Sequence, residues 1–229
     1  MNIAILIPAR YASTRFPGKP LVSLDGKPMI ARVAEACCAT GIDTYALTDD
    51  KTIAQVAKAS GAGAYIDSTD YDNGTERCAG AIKSSLFDKY SYFINVQGDM
   101  PDVTPDIIFA VRDLLVQGAE VATAYTDMDE IERLNLNTVK MIKGTDNAQW
   151  FGRGFAHYGY HHLGIYGYTR NALSFYPILK KTQEEEIEKL EQLRWLKNGW
   201  QIKVSSVQFK GIEINSPLDA ERWHAKQTH

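Results

Sequence analysis

Apolar positions along this chain follow two rhythms. Residues 3 to 8, "IAILIP", form an unbroken apolar run, the pattern of a strand buried on both faces of a parallel sheet. The next segment, "MIARVAEACCATG", has the three-and-four spacing of a helix, with Gly41 as its stop signal. "DTYALTDD" then predicts a strand, "KTIAQVAKASG" a helix and "GAYID" a third strand. Strands and helices alternating in this way specify a doubly wound α/β sheet.

Beyond a polar loop the alternation resumes. "TERCAGAIKSSL" predicts a helix, "SYFINVQGD" a strand, "TPDIIFAVRDLLVQG" a helix and "EVATAYTDM" a strand. Residues 137 to 170 break the rhythm, because Gly, Tyr, His and Phe crowd together in "WFGRGFAHYGYHHLGIYGYT". They predict a smaller, irregular lobe with short strands, spanning roughly 137–200 within one domain that covers 1–229. "TQEEEIEKLEQLRWLKNG" predicts one amphipathic helix, "KVSSVQF" and "IEIN" closing strands, and "PLDAERWHAK" a last helix.

Composition narrows the function classes. The 229 residues are 45% hydrophobic and 23% charged, the balance of a globular chain with one sizeable core. A net charge of −3 gives no global positive field and there is no basic stripe, which argues against a nucleic-acid partner. Any anion must therefore be held locally. Cys37, Cys38 and Cys78 show no paired or metal-ligand spacing and predict reduced thiols. No stretch approaches the roughly 20 apolar residues of a membrane span, so no membrane partner and a cytoplasmic location are expected.

In an open α/β sheet, ligands bind beyond the carboxyl ends of the strands. The first such loop, "ARYASTRFPGKPL", carries Arg10, Arg15 and Lys19, a charge load suited to a polyphosphate. It contains neither a Walker loop nor a dinucleotide fingerprint. Asp99 ends the apolar strand "YFINVQGD" and faces that basic loop, so it is a candidate Mg²⁺ ligand between protein and phosphates. Asn215 shares a strand face with Glu213 but also directly precedes Ser-Pro, so helix capping and ligand binding are both open to it. His161 and His162 are adjacent and, in a strand, point to opposite faces; they cannot share one ion. Glu191 and Gln192 lie on the polar face of the expected amphipathic helix.

"IPARYASTRFPGKPL", "NGTER", "NVQGD", "HLGIYGY" and "LEQLR", in this order over nearly the whole chain, resemble the 3-deoxy-manno-octulosonate (Kdo) cytidylyltransferase, or CMP-Kdo synthetase, family. The resemblance implies a mixed α/β sheet of the nucleotide-sugar nucleotidyltransferase (GT-A-like) type and CMP transfer from CTP to an acidic eight-carbon sugar. It also implies Mg²⁺ as cofactor, a cytosolic homodimer, and a place in lipopolysaccharide precursor synthesis. By matching motif, Arg10, Arg15 and Lys19 would hold the triphosphate, with Arg10, Lys19 and Asp99 catalytic. Ala9, Asn73, Gly74 and Gln97 would frame cytidine and sugar. Arg77, Arg153, His162, Glu191 and Gln192 would serve the sugar pocket, and Asp99 with Asn215 the metal. Three features depart from the family pattern: Met100 replaces an acidic residue, Asn215 replaces a second metal carboxylate, and the region between Arg153 and His162 is shorter than usual. The alternatives are another acidic sugar, 8-amino-substituted or sialic-acid-like, and a homologue that binds CTP without turnover.

Overall fold

The computed structural model describes residues 2–12, 16–155 and 158–227. Strand β1 (Ile3–Pro8) lies at the middle of a mixed sheet. The short strands β2 (Ser23–Leu24) and β3 (Lys27–Pro28) pair with each other, and helix α1 (Met29–Cys38) follows. β4 (Asp43–Thr48) and β5 (Gly63–Ile66) extend the sheet parallel to β1 on one side, with α2 (Lys51–Ala59) between them in sequence. Helix α3 (Gly74–Ala81) leads to β6 (Tyr92–Val96), parallel to β1 on its other side. Gly41 has φ +73°, the left-handed conformation that stops a helix, just after α1.

The second half completes the sheet differently. After α4 (Pro105–Val116) come β7 (Val121–Thr126), α5 (Glu130–Leu134) and the hairpin of β8 (Lys140–Lys143) and β9 (Ala148–Gly152). Then the long β10 (Tyr160–Thr169) runs antiparallel between β6 and β7. The irregular lobe expected over 137–200 thus contributes its longest strand to the centre of the main sheet. Its composition concealed this, because every second residue of a strand covered on both faces is as apolar or aromatic as its neighbours. Helix α6 (Arg170–Phe175), α7 (Gln183–Glu188) and α8 (Gln192–Lys197) follow, β11 (Ile202–Ser206) pairs parallel with β7, and α9 (Pro217–Gln227) closes the chain.

Alternation along β1 builds two apolar layers. Ala4 and Leu6 face one side, packing with Phe93, Tyr168, Tyr176 and Trp195. Ile5 and Ile7 face the other, with Ile30, Val33, Ile107 and Val111 from α1 and α4. Met100, which stands where the resembled family has an acidic residue, is wholly buried in this second layer. Among the described residues no helix is long and apolar enough to cross a membrane.

Two expected elements change form. The segment expected as strand "IEIN" joins no ladder: the Ile212 N–H donates to Asp102 Oδ2 at 3.0 Å and the Ile214 N–H to the Asp99 carbonyl at 2.9 Å. The single helix expected over 182–199 is two helices broken at Lys189, whose φ is 57°. The cause is a buried guanidinium. Arg194 Nε donates to Glu185 Oε2 at 2.9 Å and its Nη1 to Glu76 Oε1 at 2.9 Å. In a continuous helix residues nine apart are separated by about 13–14 Å and lie on opposite faces. Only a chain reversal lets Glu185 reach Arg194. The guanidinium also lies over the Tyr176 ring, 4.3 Å from its centroid, beside a Trp195 that is fully buried.

Removing one partner of a buried charge pair leaves the others uncompensated. Arg194→Ala is therefore expected to destabilise the protein by about 3–5 kcal/mol in urea unfolding; a change below about 1 kcal/mol would contradict the role given to this pair.

Candidate active site

Two cavities open at the carboxyl ends of β1 and β6. The first is lined by Ala9 and Arg10 beyond β1, Lys19 and Pro20 of the basic loop, Tyr71, Asn73, Gly74 and Arg77 around the start of α3, and Gln97, Gly98 and Asp99 beyond β6. The second, of about 680 Å³, is lined by Arg153, His162, Gly164, Tyr166, Lys181, Lys189, Glu191, Gln192 and Glu213 among others, and is large enough for a compact ligand. Asn73, Gly74 and Gln97 line both. They form a shared wall.

Local chemistry explains that wall. Asn73 is the N-cap of α3, its side chain accepting from the Glu76 N–H at 2.9 Å. A β-carbon on Gly74 would stand 2.8 Å from Gln97 Nε2 and 3.2 Å from Pro8 Cγ, so any larger residue there would push the Gln97 side chain aside. Glu191, just past the helix break, accepts from the Thr75 N–H at 2.9 Å and from Gln97 Nε2 at 3.1 Å. Burial, then the nearby Glu185 charge, pushes its carboxyl up to about 7 against the hydrogen bonds from Thr75 and the charge of Arg194.

In the first cavity, Lys19 Nζ donates to Asp99 Oδ2 at 2.7 Å, with both side chains about four-fifths buried. Gly18, at φ +70°, turns the chain so that Lys19 reaches inward. Arg10 is more exposed, its guanidinium 3.9 Å from Asp70. Arg77, expected in the sugar pocket, lines the first cavity instead. Its hydrogen bond to the Asp67 carbonyl, at 3.2 Å, and its place over the Tyr71 ring hold the buried guanidinium on that side. Arg15 lies outside the described residues.

Asn215 is not brought into either cavity. Its side chain lines a third pocket with His161 and Asp219, and its backbone N–H, with that of Ser216, donates to Asp219 Oδ2 at the start of α9. The side chain of that segment which reaches the second cavity is Glu213, whose Oε1 accepts from the Gly164 N–H at 3.0 Å. Among the described residues no group of three or more His, Cys, Asp or Glu side chains could hold a metal ion. Mg²⁺ asks less: one or two carboxylates, with phosphate oxygens and water completing its shell. Asp99 meets that minimum.

His161 and His162 face opposite sides, as their adjacency requires. His162 is buried edge-on to Phe151, and its Nε2 is 3.0 Å from Thr123 Oγ1. Burial, with the charges of His161 and Arg153, drives its pKa down to about 3, so it offers the cavity a hydrogen bond and no positive charge. Cationic groups there are Arg153, Lys181 and Lys189; Lys181 pairs with Asp72, and Lys189 is the residue at the helix break, which carries no sequence signal.

A cationic post-strand loop, one strand-end carboxylate and a second cavity sharing a wall with the first define a nucleotidyltransferase. Residues 4–205 match the Cytidylyltransferase family profile. The chain is 38% identical to an 8-amino-3,8-dideoxy-manno-octulosonate cytidylyltransferase of Shewanella sp. (strain ANA-3), over 97% of each chain. It is 36% identical to a 3-deoxy-manno-octulosonate cytidylyltransferase of Phocaeicola vulgatus, over 98% of this chain and 97% of the relative. A solved CMP:2-keto-3-deoxy-manno-octonic acid synthetase in complex with CTP superposes with a TM-score of 0.87 at 31% identity, covering 100% of this chain and 99% of that one. The chain is an enzyme of the cytidylyltransferase family, and its relatives there are the manno-octulosonate cytidylyltransferases that its motifs resemble.

A neutral His162 has a measurable consequence. Its ring is expected to show no protonation shift by NMR between pH 8 and pH 5. Because the unfolded ring binds a proton below its ordinary pKa of about 6.5 while the native ring does not, this group's contribution falls by about 1.4 kcal/mol per pH unit as pH drops from 6.5 towards 3. A His162 resonance titrating near 6.5 would contradict the buried placement.

Proposed function

We propose that this enzyme transfers CMP from CTP to the anomeric hydroxyl of Kdo or a closely related ulosonic acid, releasing pyrophosphate. The observation that carries this reading is the wall of Asn73, Gly74 and Gln97 shared by two cavities, since the reaction must join two ligands at one point. The triphosphate is assigned to the first cavity, where Arg10, Lys19 and Arg77 supply positive charge. Positioning and charge neutralisation are most of what phosphoryl-type transfer asks of a protein.

Asp99 would hold Mg²⁺ together with phosphate oxygens. When bound, the ion would neutralise charge that builds on the phosphates during transfer. Lys19, whose Nζ is 2.7 Å from Asp99 Oδ2, would serve the same phosphates from the loop side. The acidic sugar is assigned to the second cavity, with Arg153, Lys181 and Lys189 near its carboxylate and His162, Gln192 and Glu191 near its hydroxyls. The relatives are named for Kdo and for its 8-amino counterpart, so the sugar assigned here is the class that includes both. A homodimer in the cytoplasm, acting in lipopolysaccharide precursor synthesis, completes the reading; the exposed Ile131 and Leu136 near α5 offer apolar surface for a second copy.

Pyrophosphate release measured with CTP, Mg²⁺ and either Kdo or 8-amino-Kdo is expected to proceed with at least one of the two sugars and to require all three components. CTP binding without pyrophosphate release, over a panel that also includes a sialic-acid-like ulosonate, would instead select a non-catalytic CTP-binding protein.

A further inference from the structure

We infer that the Tyr168 hydroxyl is a positioning group for the transfer, holding through Thr75 the first turn of α3 at the wall where the reacting atoms meet. The inference rests on the reading of the two cavities as nucleotide and sugar sites. If that reading holds, any displacement of Asn73 and Gly74 changes how one ligand approaches the other. Thr75 is the next residue, and its Oγ1 stands 2.9 Å from the Tyr168 hydroxyl oxygen. Both residues are buried to 0% exposure.

Tyr168 lies on β10 opposite Phe93 of β6, so a bond from its hydroxyl sets the start of α3 against the same sheet that carries Gln97 at its edge. Its ring is packed on two sides. It stacks on Trp195 with centroids 5.8 Å apart and on Tyr166 with centroids 6.0 Å apart. The buried Asn95 amide of β6 stands near the same hydroxyl without a well-formed hydrogen bond to it. On the other side of Gly74, Tyr176 has a matching place: its hydroxyl accepts from Asn73 Nδ2 at 3.3 Å and donates to the Glu191 carbonyl at 3.0 Å. Its ring is 5.0 Å from the same Trp195. Gly74 has no side chain to hold it, and both of its neighbours are tied to buried tyrosines.

The other ties on the wall differ in kind. The bond from the Glu76 N–H to Asn73 lies within α3 and cannot fix that helix against the sheet. The bonds of Glu191 to the Thr75 N–H and to Gln97 involve side chains that line the second cavity, where a ligand competes for them. Tyr168 and Thr75 line neither cavity. Their bond is closed to water and to substrate, and a satisfied polar contact in such surroundings is stronger and stiffer than an exposed one. Burial pushes the Tyr168 and Tyr176 hydroxyls far above their ordinary pKa, so both stay protonated. A second hydroxyl pair provides the comparison. Tyr45 and Tyr90 meet at 2.9 Å beside Asp43, the first residue of β4, at the end of the sheet opposite the cavities.

The test is the single-turnover rate with saturating CTP, Mg²⁺ and Kdo or 8-amino-Kdo, read beside CTP affinity by calorimetry, the KM for sugar and urea unfolding. The variants are Tyr168→Phe, Thr75→Val, Thr75→Ser, the double variant of Tyr168→Phe with Thr75→Val, and Tyr90→Phe. Tyr168→Phe and Thr75→Val are each expected to keep CTP affinity and sugar KM within about threefold and to slow the transfer roughly 10- to 100-fold, the scale of a misplacement of up to about 1 Å. Thr75→Ser retains the hydroxyl and should recover most of the rate. In the double variant neither hydroxyl is left alone, so stability should return towards the wild type while the rate stays low. Tyr90→Phe should lose stability and keep the wild-type rate. A hydroxyl that only stabilises the fold gives a different pattern: Tyr168→Phe with lowered stability and an unchanged rate overturns the inference, as does a double variant whose rate recovers with its stability, or a loss confined to CTP affinity or sugar KM. Should Tyr168→Phe fail to fold, equal rates in Thr75→Ser and Thr75→Val overturn it; should Thr75→Val fail, an unchanged rate in Tyr168→Phe does. Absence of wild-type turnover with any ulosonate overturns the underlying reading and this one with it, whereas normal turnover with unslowed variants overturns this one alone.

Discussion

The guanidinium of Arg194 fastens three elements that would otherwise have no reason to meet. Its bonds to Glu185 fold α7 back against α8, and its bond to Glu76 ties both to α3. Burying three charges together is costly, and this arrangement survives because each charge has a directed partner and an aromatic neighbour in Tyr176. Its structural effect is larger than its own contribution to stability. The chain reversal at Lys189 places Glu191 at the start of α8, where a continuous helix would have carried it along a surface face.

From there the geometry follows in short steps. Glu191 grips the first turn of α3 and the end of β6 through Thr75 and Gln97. Gly74 leaves room there for the Gln97 side chain, and the pair becomes a partition with a cavity on each side. In the first cavity, cations come from a loop that starts at the end of β1 and from α3; in the second, they come from the lobe. The proposed joining of two ligands rests on this partition and not on any one charged residue.

Much of this is legible in the sequence, and the limits have physical causes. The parallel half of the sheet announces itself, because strands such as "IAILIP" and "YFINV" are buried on both faces and read as unbroken apolar runs. The strand-end loops follow from topology, which is why the chain order of strands and helices alone groups Arg10, Lys19, Gln97 and Asp99. Antiparallel β10 is less visible, since its aromatic and histidine residues suggest an irregular lobe. The helix break is invisible: "EEEIEKLEQLRWL" has good helical spacing, and only the long-range demand of Glu185 and Glu76 for Arg194 overrides it. Two residues matched by motif occupy other surroundings, Arg77 in the first cavity and Asn215 beside a third pocket, because motif matching fixes chain position and not side-chain direction. Glu213, two positions before Asn215, is the side chain that reaches the second cavity.

The partition is tested most directly by the crystal structure of the enzyme with CTP and Mg²⁺. The account predicts the triphosphate in the first cavity against Arg10 and Lys19. The α-phosphorus would lie at the wall formed by Asn73, Gly74 and Gln97, its open side towards the second cavity. A triphosphate seated in the second cavity, or an α-phosphorus facing away from that wall, would contradict it.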